Sequence, residues 1–321
     1  GDCDVAQPNW ELEAPEVNQG VVAFVEGGHV FSDVEDQGAL ARIGTVAAHL
    51  QYQGTGTVVA VLDTGVDLAH PDLAGAFLPG WDFVDDDADP NDVADGVDQD
   101  EDGLVDEGAG HGTHVAGIIH AVAPGAQILP VRVMDSEGVG NSAGIARGIL
   151  WAVDNGADVI NLSLGMRVDA DVMKEALDYA DSLGVLVVAS AGNEGIQESH
   201  HFPANLSKVV AVTATDANDL KAPFSNYGSY VNLSAPGEGI LSTFLGGQYA
   251  VWSGTSFAAP MVAGGAALWY ERFPGGIPDD ATEAVEDTAS PLDTSGTPYD
   301  GKIGTGLLDC AALVLWTPSG L

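Results

Sequence analysis

Ser256 stands in the stretch Ser253-Gly254-Thr255-Ser256-Phe257-Ala258-Ala259-Pro260-Met261, just ahead of an Ala/Gly-rich run over 262–268. That composition predicts a helix packed closely on its neighbours. A hydroxyl at a helix N-terminus meets free backbone N–H groups and a partial positive charge, which suit an attacking alkoxide and an oxyanion. The same pattern equally describes a serine or threonine capping orphan amides. A neutral serine is a poor nucleophile, so chemistry at Ser256 needs a histidine base and a carboxylate to orient it.

Candidates for both lie upstream. Val58-Val59-Ala60-Val61-Leu62-Asp63-Thr64-Gly65-Val66-Asp67 begins with five apolar residues and ends in acids. It reads as a buried parallel strand with Asp63 at its carboxyl end, where open α/β sheets hold functional groups. A turn or capping aspartate is the plainer reading. His111-Gly112-Thr113-His114-Val115-Ala116-Gly117 enters a second small-residue helix. Two histidines three apart could ligate a metal, but the Glu-flanked helical pattern of zinc sites is missing. Residues 185–195 form another buried strand that delivers Asn193, whose amide can donate to a developing oxyanion.

Taken together, these segments resemble the subtilisin-like serine proteases, or subtilases, in their order Asp, His, Ser. Val61-Leu62-Asp63-Thr64-Gly65-Val66-Asp67, His111-Gly112-Thr113-His114-Val115-Ala116-Gly117 and Gly254-Thr255-Ser256-Phe257-Ala258-Ala259-Pro260 match the three family signatures. Ser190-Ala191-Gly192-Asn193-Glu194-Gly195 matches the oxyanion segment, and the resemblance runs from about residue 38 to about residue 314. It implies a catalytic triad of Asp63, His111 and Ser256 with Asn193 at the oxyanion, and leaves His114 as a packed helix residue. It also implies a secreted endopeptidase acting through an acyl-enzyme. Gly138, Val139 and Gly140 on one side and Ser163, Leu164 and Gly165 on the other would flank an extended polypeptide as an added β-strand. Ser163 to Gly165 and Ser190, Ala191 and Gly192 would wall the pocket for the residue before the cut. Walls so small suit a large uncharged side chain there. In the following loop, Glu194 departs from the common pattern, and His200-His201 reads as a solvated pair.

The remaining segments alternate strand and helix patterns, at 128–133, 144–155, 159–165, 170–183 and 209–213. The expected fold is α/β, a doubly wound, mostly parallel sheet with helices on both faces. Residues 38–321 are expected to form one catalytic domain, and residues 1–37 an N-terminal arm packed along it. Within that arm, residues 21–25 faintly resemble the last strand of a subtilase propeptide. A cleaved propeptide of its own is therefore an expected partner beside polypeptide substrates.

Acidic residues dominate one segment. Residues 82–107 hold 13 of the 48 acids, and no Lys or Arg occurs between Arg42 and Arg132. Within Asp98-Gln99-Asp100-Glu101-Asp102-Gly103-Leu104-Val105-Asp106-Glu107, acids alternate and then meet a glycine, as in the first half of an EF-hand loop. Asp98, Asp100 and Asp102, the Leu104 carbonyl and Asp106 would surround Ca²⁺. Position twelve is Ala109 rather than Glu, so Glu107 is the expected closing ligand. A second cluster, Asp85-Asp86-Asp87-Ala88-Asp89-Pro90-Asn91-Asp92, could share the ion or hold another. In many subtilases the acid matching Asp72 binds calcium with a loop inserted after the catalytic histidine. The helix from His111 leaves no room for that insertion.

The whole chain of 321 residues carries 9 Lys and Arg against 48 Asp and Glu, a net charge of −39. Such a surface repels nucleic acid and anionic membranes. It fits salty or calcium-rich surroundings, and equally fits simple solubility. No apolar run approaches the roughly 20 residues needed to cross a bilayer, and no signal-peptide pattern opens the chain. Cys3 and Cys310 are the two cysteines, and an extracellular setting predicts a disulfide between them. A monomer is expected. A catalytically silent, calcium-dependent binding module and an esterase or transacylase are the rival readings from other classes.

Overall fold

The computed structural model describes residues 8–16, 23–26, 28–98 and 103–318. In chain order the elements are β1 (Glu11–Glu13), β2 (Phe24–Glu26), α1 (Phe31–Glu35), α2 (Gly38–Arg42), α3 (Thr45–His49), β3 (Val58–Asp63), β4 (Trp81–Asp82) and α4 (His111–Val122). Then come β5 (Gln127–Arg132), β6 (Val139–Asn141), α5 (Ser142–Asp154), β7 (Val159–Leu162), α6 (Asp171–Ser182), β8 (Leu186–Ser190) and β9 (Val209–Thr215). The chain closes with β10 (Leu233–Pro236), β11 (Ile240–Phe244), β12 (Gln248–Trp252), α7 (Thr255–Arg272), α8 (Pro278–Asp287) and α9 (Cys310–Leu313).

The unbroken apolar runs of β3, β7, β8 and β9 cannot face water on either side. They line up as the middle of a seven-stranded sheet, ordered β10-β9-β8-β7-β3-β5-β4, with every pair parallel. Helices α4 and α7 cover one face, and their Ala and Gly residues let the two helices and the sheet approach closely. Helices α5 and α6 cover the other face. The expected doubly wound α/β fold is therefore the fold observed.

Local chemistry sets several boundaries. Asn141 caps α5, its Oδ1 accepting the Gly144 N–H at 2.9 Å. Gly112 lies so near Asp63 and Gly65 that a Cβ there would come 2.1 Å from the Gly65 carbonyl oxygen. Only glycine lets the start of α4 press against the end of β3.

The described residues before β3 form three separate pieces. β2 adds to the edge of a small antiparallel sheet with β12 and β11. The short helices α1 to α3 pack on the core through Val34, Leu40, Ile43 and Ala48. β1 instead pairs antiparallel with β6, far from β2, and crosses the carboxyl end of the main sheet.

Cys310 is a free thiol at the start of α9, buried in the core, where desolvation pushes its pKa up. The expected disulfide is thus not formed at Cys310, whose side chain packs inward beside Gly265. Its expected partner Cys3 lies outside the described residues.

Candidate active site

The carboxyl end of the parallel sheet gathers residues from four elements. Asp63 ends β3, and His111 opens α4, with the His111 Nδ1 to Asp63 Oδ1 distance at 2.7 Å. The same carboxylate oxygen accepts the Thr64 N–H at 2.8 Å, and the Thr64 hydroxyl accepts the Gly112 N–H at 3.0 Å. These contacts fix the aspartate and the first turn of α4 together. Asp92 adds a second brace, accepting the Gly110 N–H at 3.1 Å and the Thr113 hydroxyl at 2.9 Å. Desolvation raises the Asp92 pKa to about 6 despite these bonds.

Ser256 lies in the first turn of α7, fully buried, and Asn193 follows β8. The Asn193 side-chain oxygen accepts the Thr255 N–H at 2.9 Å and the Thr255 hydroxyl at 2.8 Å. With its oxygen so occupied, the amide must turn its NH₂ toward the site. His114 packs among Trp252 and Phe257, its Nε2 3.1 Å from the Ile240 and Ala250 carbonyl oxygens. Burial lowers its pKa to about 3, so it is a neutral core residue as expected.

One occupant of the site was not foreseen from the sequence. Glu16 is fully buried, and its carboxylate lies among Ser256, His111 and Asn193. The Ser256 hydroxyl donates to Glu16 Oε2 at 2.7 Å, and His111 Nε2 stands 3.2 Å from the same oxygen. The Asn193 Nδ2 donates to Glu16 Oε1 at 2.8 Å. A Cβ on Gly254 would stand 1.7 Å from that oxygen, so the carboxylate fits only over glycine. No local motif marks Glu16; it reaches the site only because β1 crosses the cleft.

That crossing follows the expected substrate path. Glu11, Leu12 and Glu13 register against Asn141, Gly140 and Val139. Ala14 donates its N–H to the Gly138 carbonyl at 2.9 Å, and Glu13 exchanges two backbone bonds with Gly165, at 3.4 and 3.2 Å. So the structure brings Gly138, Val139, Gly140 and Gly165 around an extended strand, and that strand belongs to the chain itself. Ser163 lines the floor, its Oγ donating to the Ser256 carbonyl at 2.7 Å. Leu164, Ser190 and Ala191 are fully buried beneath.

Residues 200–201 differ from the solvated pair expected. His200 is exposed and meets Asp169 at 2.7 Å, whereas His201 is only 3% exposed. Its ring is wedged between Gly165 and Gly192, where added Cβ atoms would stand 2.1 and 2.7 Å from ring nitrogens. Neither nitrogen has a hydrogen-bond partner among the described residues. Burial lowers its pKa to about 4, so the ring is neutral. Glu194 is held by Arg167 at 3.3 Å and by the Asn226 amide.

The acidic segment is partly neutralised by cations from distant elements, which the local reading could not supply. Arg132 of β5 pairs with Asp82 at 2.6 Å and Asp85 at 2.7 Å, and Arg147 of α5 pairs with Asp86 at 2.8 Å. Asp100 and Asp102 lie outside the described residues. Asp98 Oδ2 accepts the Gly103 N–H at 3.1 Å. Both Asp106 oxygens accept backbone N–H groups, from Asp95 at 2.8 Å and Gly96 at 2.9 Å. Glu107 is buried and faces inward. Among the described residues no group of three or more His, Cys, Asp or Glu is arranged to hold a metal. Asp72 accepts a hydrogen bond from the Tyr249 hydroxyl.

A parallel α/β sheet with Asp63, His111, Ser256 and Asn193 at its carboxyl end defines a subtilisin-like serine protease. The chain belongs to the subtilase family, whose peptidase S8 model matches residues 54–306. It is 43% identical over 255 residues to thermitase of Thermoactinomyces vulgaris, covering 76% of this chain and 85% of that protein. It is 37% identical over 306 residues to subtilisin NAT of Bacillus subtilis subsp. natto, covering 91% and 75%. Among solved structures, fervidolysin from Fervidobacterium pennivorans, described as a keratinolytic enzyme related to subtilisin, superposes with a TM-score of 0.80 at 30% identity, over 98% of this chain and 52% of that one. A protease of Pseudoalteromonas arctica superposes with a TM-score of 0.77 at 35% identity, covering 85% and 93%. The protein is a serine endopeptidase that acts on polypeptides.

Two carboxylates now face one buried imidazole. Burial alone would lower the His111 pKa, but the charge and hydrogen bond of Asp63, then those of Glu16, raise it to about 10. The fold therefore favours imidazolium. That contribution to stability is whole below the ordinary imidazole range near 6.5 and is lost as pH rises through about 10. Imidazole NMR on the intact chain should find His111 protonated at pH 8, and Glu16→Gln should lower its midpoint. Equal midpoints in the two proteins would contradict the Glu16 contact.

Proposed function

We propose that Asp63, His111 and Ser256 form the catalytic triad of this endopeptidase, with Asn193 completing the oxyanion site. The observation that carries the assignment is the convergence of all four around one carboxylate-sized space beside a bound strand. Once that space is free, neutral His111 takes the Ser256 proton as the hydroxyl oxygen attacks the peptide carbonyl. Asp63 holds the ring through Nδ1 and stabilises the imidazolium that forms. The Ser256 backbone N–H, at the positive end of α7, and the Asn193 NH₂ receive the oxyanion. His111 then protonates the departing amine, and water repeats the steps on the acyl-enzyme.

A serine-directed phosphonate should label Ser256 once per chain, and Ser256→Ala should abolish both label and casein hydrolysis. Asn193→Ala should keep the label site and lower kcat roughly 10²- to 10³-fold. Casein hydrolysis unchanged in Ser256→Ala would refute the assignment.

Substrates bind as an extended strand between residues 138–140 and residues 163–165, so unfolded or flexible polypeptide is preferred. Ser190, Ala191 and Gly192 wall the pocket before the cut, and the His201 ring closes it between Gly165 and Gly192. The small walls alone would suit a large side chain; with the ring in place, a small one fits. Peptide substrates should therefore rank Ala above Phe before the cut. His201→Gly should shift that ratio toward Phe by roughly tenfold or more. An unchanged ratio would contradict the role of the ring.

Calcium binding belongs to the same proposal. Asp98, Asp100, Asp102, the Leu104 carbonyl, Asp106 and Glu107 would hold Ca²⁺; the buried Asp98 Oδ1, which has no hydrogen-bond partner among the described residues, supports the fit. Bound there, the ion would supply positive charge to an acidic loop that leads into α4 and would steady His111. Millimolar Ca²⁺ should raise the melting temperature of the intact chain, and Asp98→Asn should remove most of the gain. Identical melting with calcium and with chelator would sink the site. We further propose that the enzyme is secreted, since its net charge of −39 suits ion-rich surroundings.

A further inference from the structure

We propose that a cavity at the amino end of the parallel sheet, opposite the end that carries Ser256, binds an alkylammonium group, with Asp158 and Tyr270 as its polar contacts. The inference does not depend on the triad assignment, because these residues lie at the other end of the strands.

The cavity forms where three connections meet. Ala157 and Asp158 lead into β7, residues 182–185 lead into β8, and residues 275–277 link α7 to α8. Its volume is about 360 Å³, within the size range of small-molecule sites. Tyr270, near the end of α7, stands in the wall and is 3% exposed, its ring set edge-on to Trp269 with centroids 5.0 Å apart. Leu183 and Ile277 line the cavity too, and they are 57% and 53% exposed.

Two groups in the wall have hydrogen-bonding capacity to spare. The Tyr270 hydroxyl is buried and has no hydrogen-bond partner among the described residues. A buried hydroxyl left so is costly, and most such groups in proteins are satisfied. Burial, then the charges of Asp158 and Asp280, push its pKa up, so the neutral phenol stands in the field of both carboxylates. Asp158 is half-buried, and its Oδ2 accepts the Val58 N–H at 2.8 Å. Burial holds its pKa above the ordinary carboxylate range, opposed by the Val58 bond alone and by no cation.

The ligand class follows from what the walls offer. The backbone N–H groups of Ala157, Leu183, Gly184, Val185 and Gly276 are spent on carbonyls within the fold, and the Ser182 hydroxyl donates to the Tyr179 carbonyl at 2.8 Å. The cavity therefore presents acceptors, a carboxylate and a phenol oxygen, and little to hold an anion. A hard metal ion fits poorly, since it takes roughly six or more oxygen ligands and the lining holds a single carboxylate among the described residues. An alkylammonium fits well. Its charge meets Asp158, one of its protons goes to the Tyr270 oxygen, and its stem lies along Leu183 and Ile277. The net charge of −39 draws such cations toward the surface. A free aliphatic amine and the lysyl side chain of a polypeptide share this chemistry.

The test is an NMR titration of the intact chain with n-pentylamine at fixed ionic strength, with n-pentanol as the uncharged control. Pentylamine should give saturable shifts at residues 182–185 and 275–277, and pentanol none. Asp158→Asn keeps an oxygen for Val58 and should weaken binding about tenfold or more; Tyr270→Phe should weaken it roughly three- to tenfold. Melting curves identify any variant that fails to fold, and the two ligands on the unaltered chain still decide the matter. A blocked glycyl-lysyl-glycine peptide that binds as pentylamine does, while its norleucine counterpart is silent, supports the site with a polypeptide as source. Binding of pentylamine without the peptide supports it with a free amine. Shifts that never saturate, that pentanol reproduces, or that persist undiminished in both folded variants would overturn the site.

Discussion

The buried imidazole of His111, gripped by Asp63 on one nitrogen and facing Glu16 at the other, is the contact on which the arrangement depends. An imidazolium deep in a protein is costly unless opposite charge is within hydrogen-bond reach. Asp63 supplies that charge permanently, because β3 ends there and Gly112 lets α4 come close enough. Glu16 supplies it conditionally, only while β1 lies in the cleft. The rest of the molecule can be read as scaffolding for this alternation. The parallel sheet sets Asp63, Ser163 and Asn193 along one rim, and α4 and α7 bring His111 and Ser256 to face each other across it.

Strand addition explains why a catalytic cleft can also hold its own chain. The rims at residues 138–141 and Gly165 pair their backbone groups with an extended strand, here β1. What separates substrate from inhibitor is therefore a matter of what arrives at Ser256. A peptide carbonyl invites attack; a side-chain carboxylate, here bonded to the Ser256 hydroxyl and the Asn193 amide, offers no amine to expel. In the proposed pocket, the neutral His201 ring fills space between two glycines rather than adding charge.

Much of this was legible in the sequence because it is local. Asp63, His111, Ser256 and Asn193 each sit at the edge of an apolar strand or a small-residue helix, and their neighbours announce them. The strand and helix patterns likewise resolved into the doubly wound sheet within a few residues. Glu16 was not legible, because one glutamate in an acidic arm has no distinguishing neighbours and its role depends on where a three-residue strand pairs. His201 was read as solvated for the same reason: the glycines that enclose it lie 9 and 36 positions away in the chain. Arg132 and Arg147 neutralise the acidic segment from β5 and α5, a pairing that local charge counting could not anticipate. Asp106 carries the spacing of a ligand, and its oxygens also accept two backbone amides from residues 95 and 96, which the spacing alone does not show.

Hydrogen exchange of residues 11–14 in the intact chain, before and after phosphonate reacts at Ser256, tests the central claim most directly. If β1 lies in the cleft with Glu16 on the reaction centre, the Leu12 to Ala14 amides exchange far more slowly than an unfolded chain. Occupying Ser256 should then release them, because phosphonate and Glu16 cannot share the site. Exchange at unfolded rates in the intact chain, or protection indifferent to the phosphonate, would contradict the account.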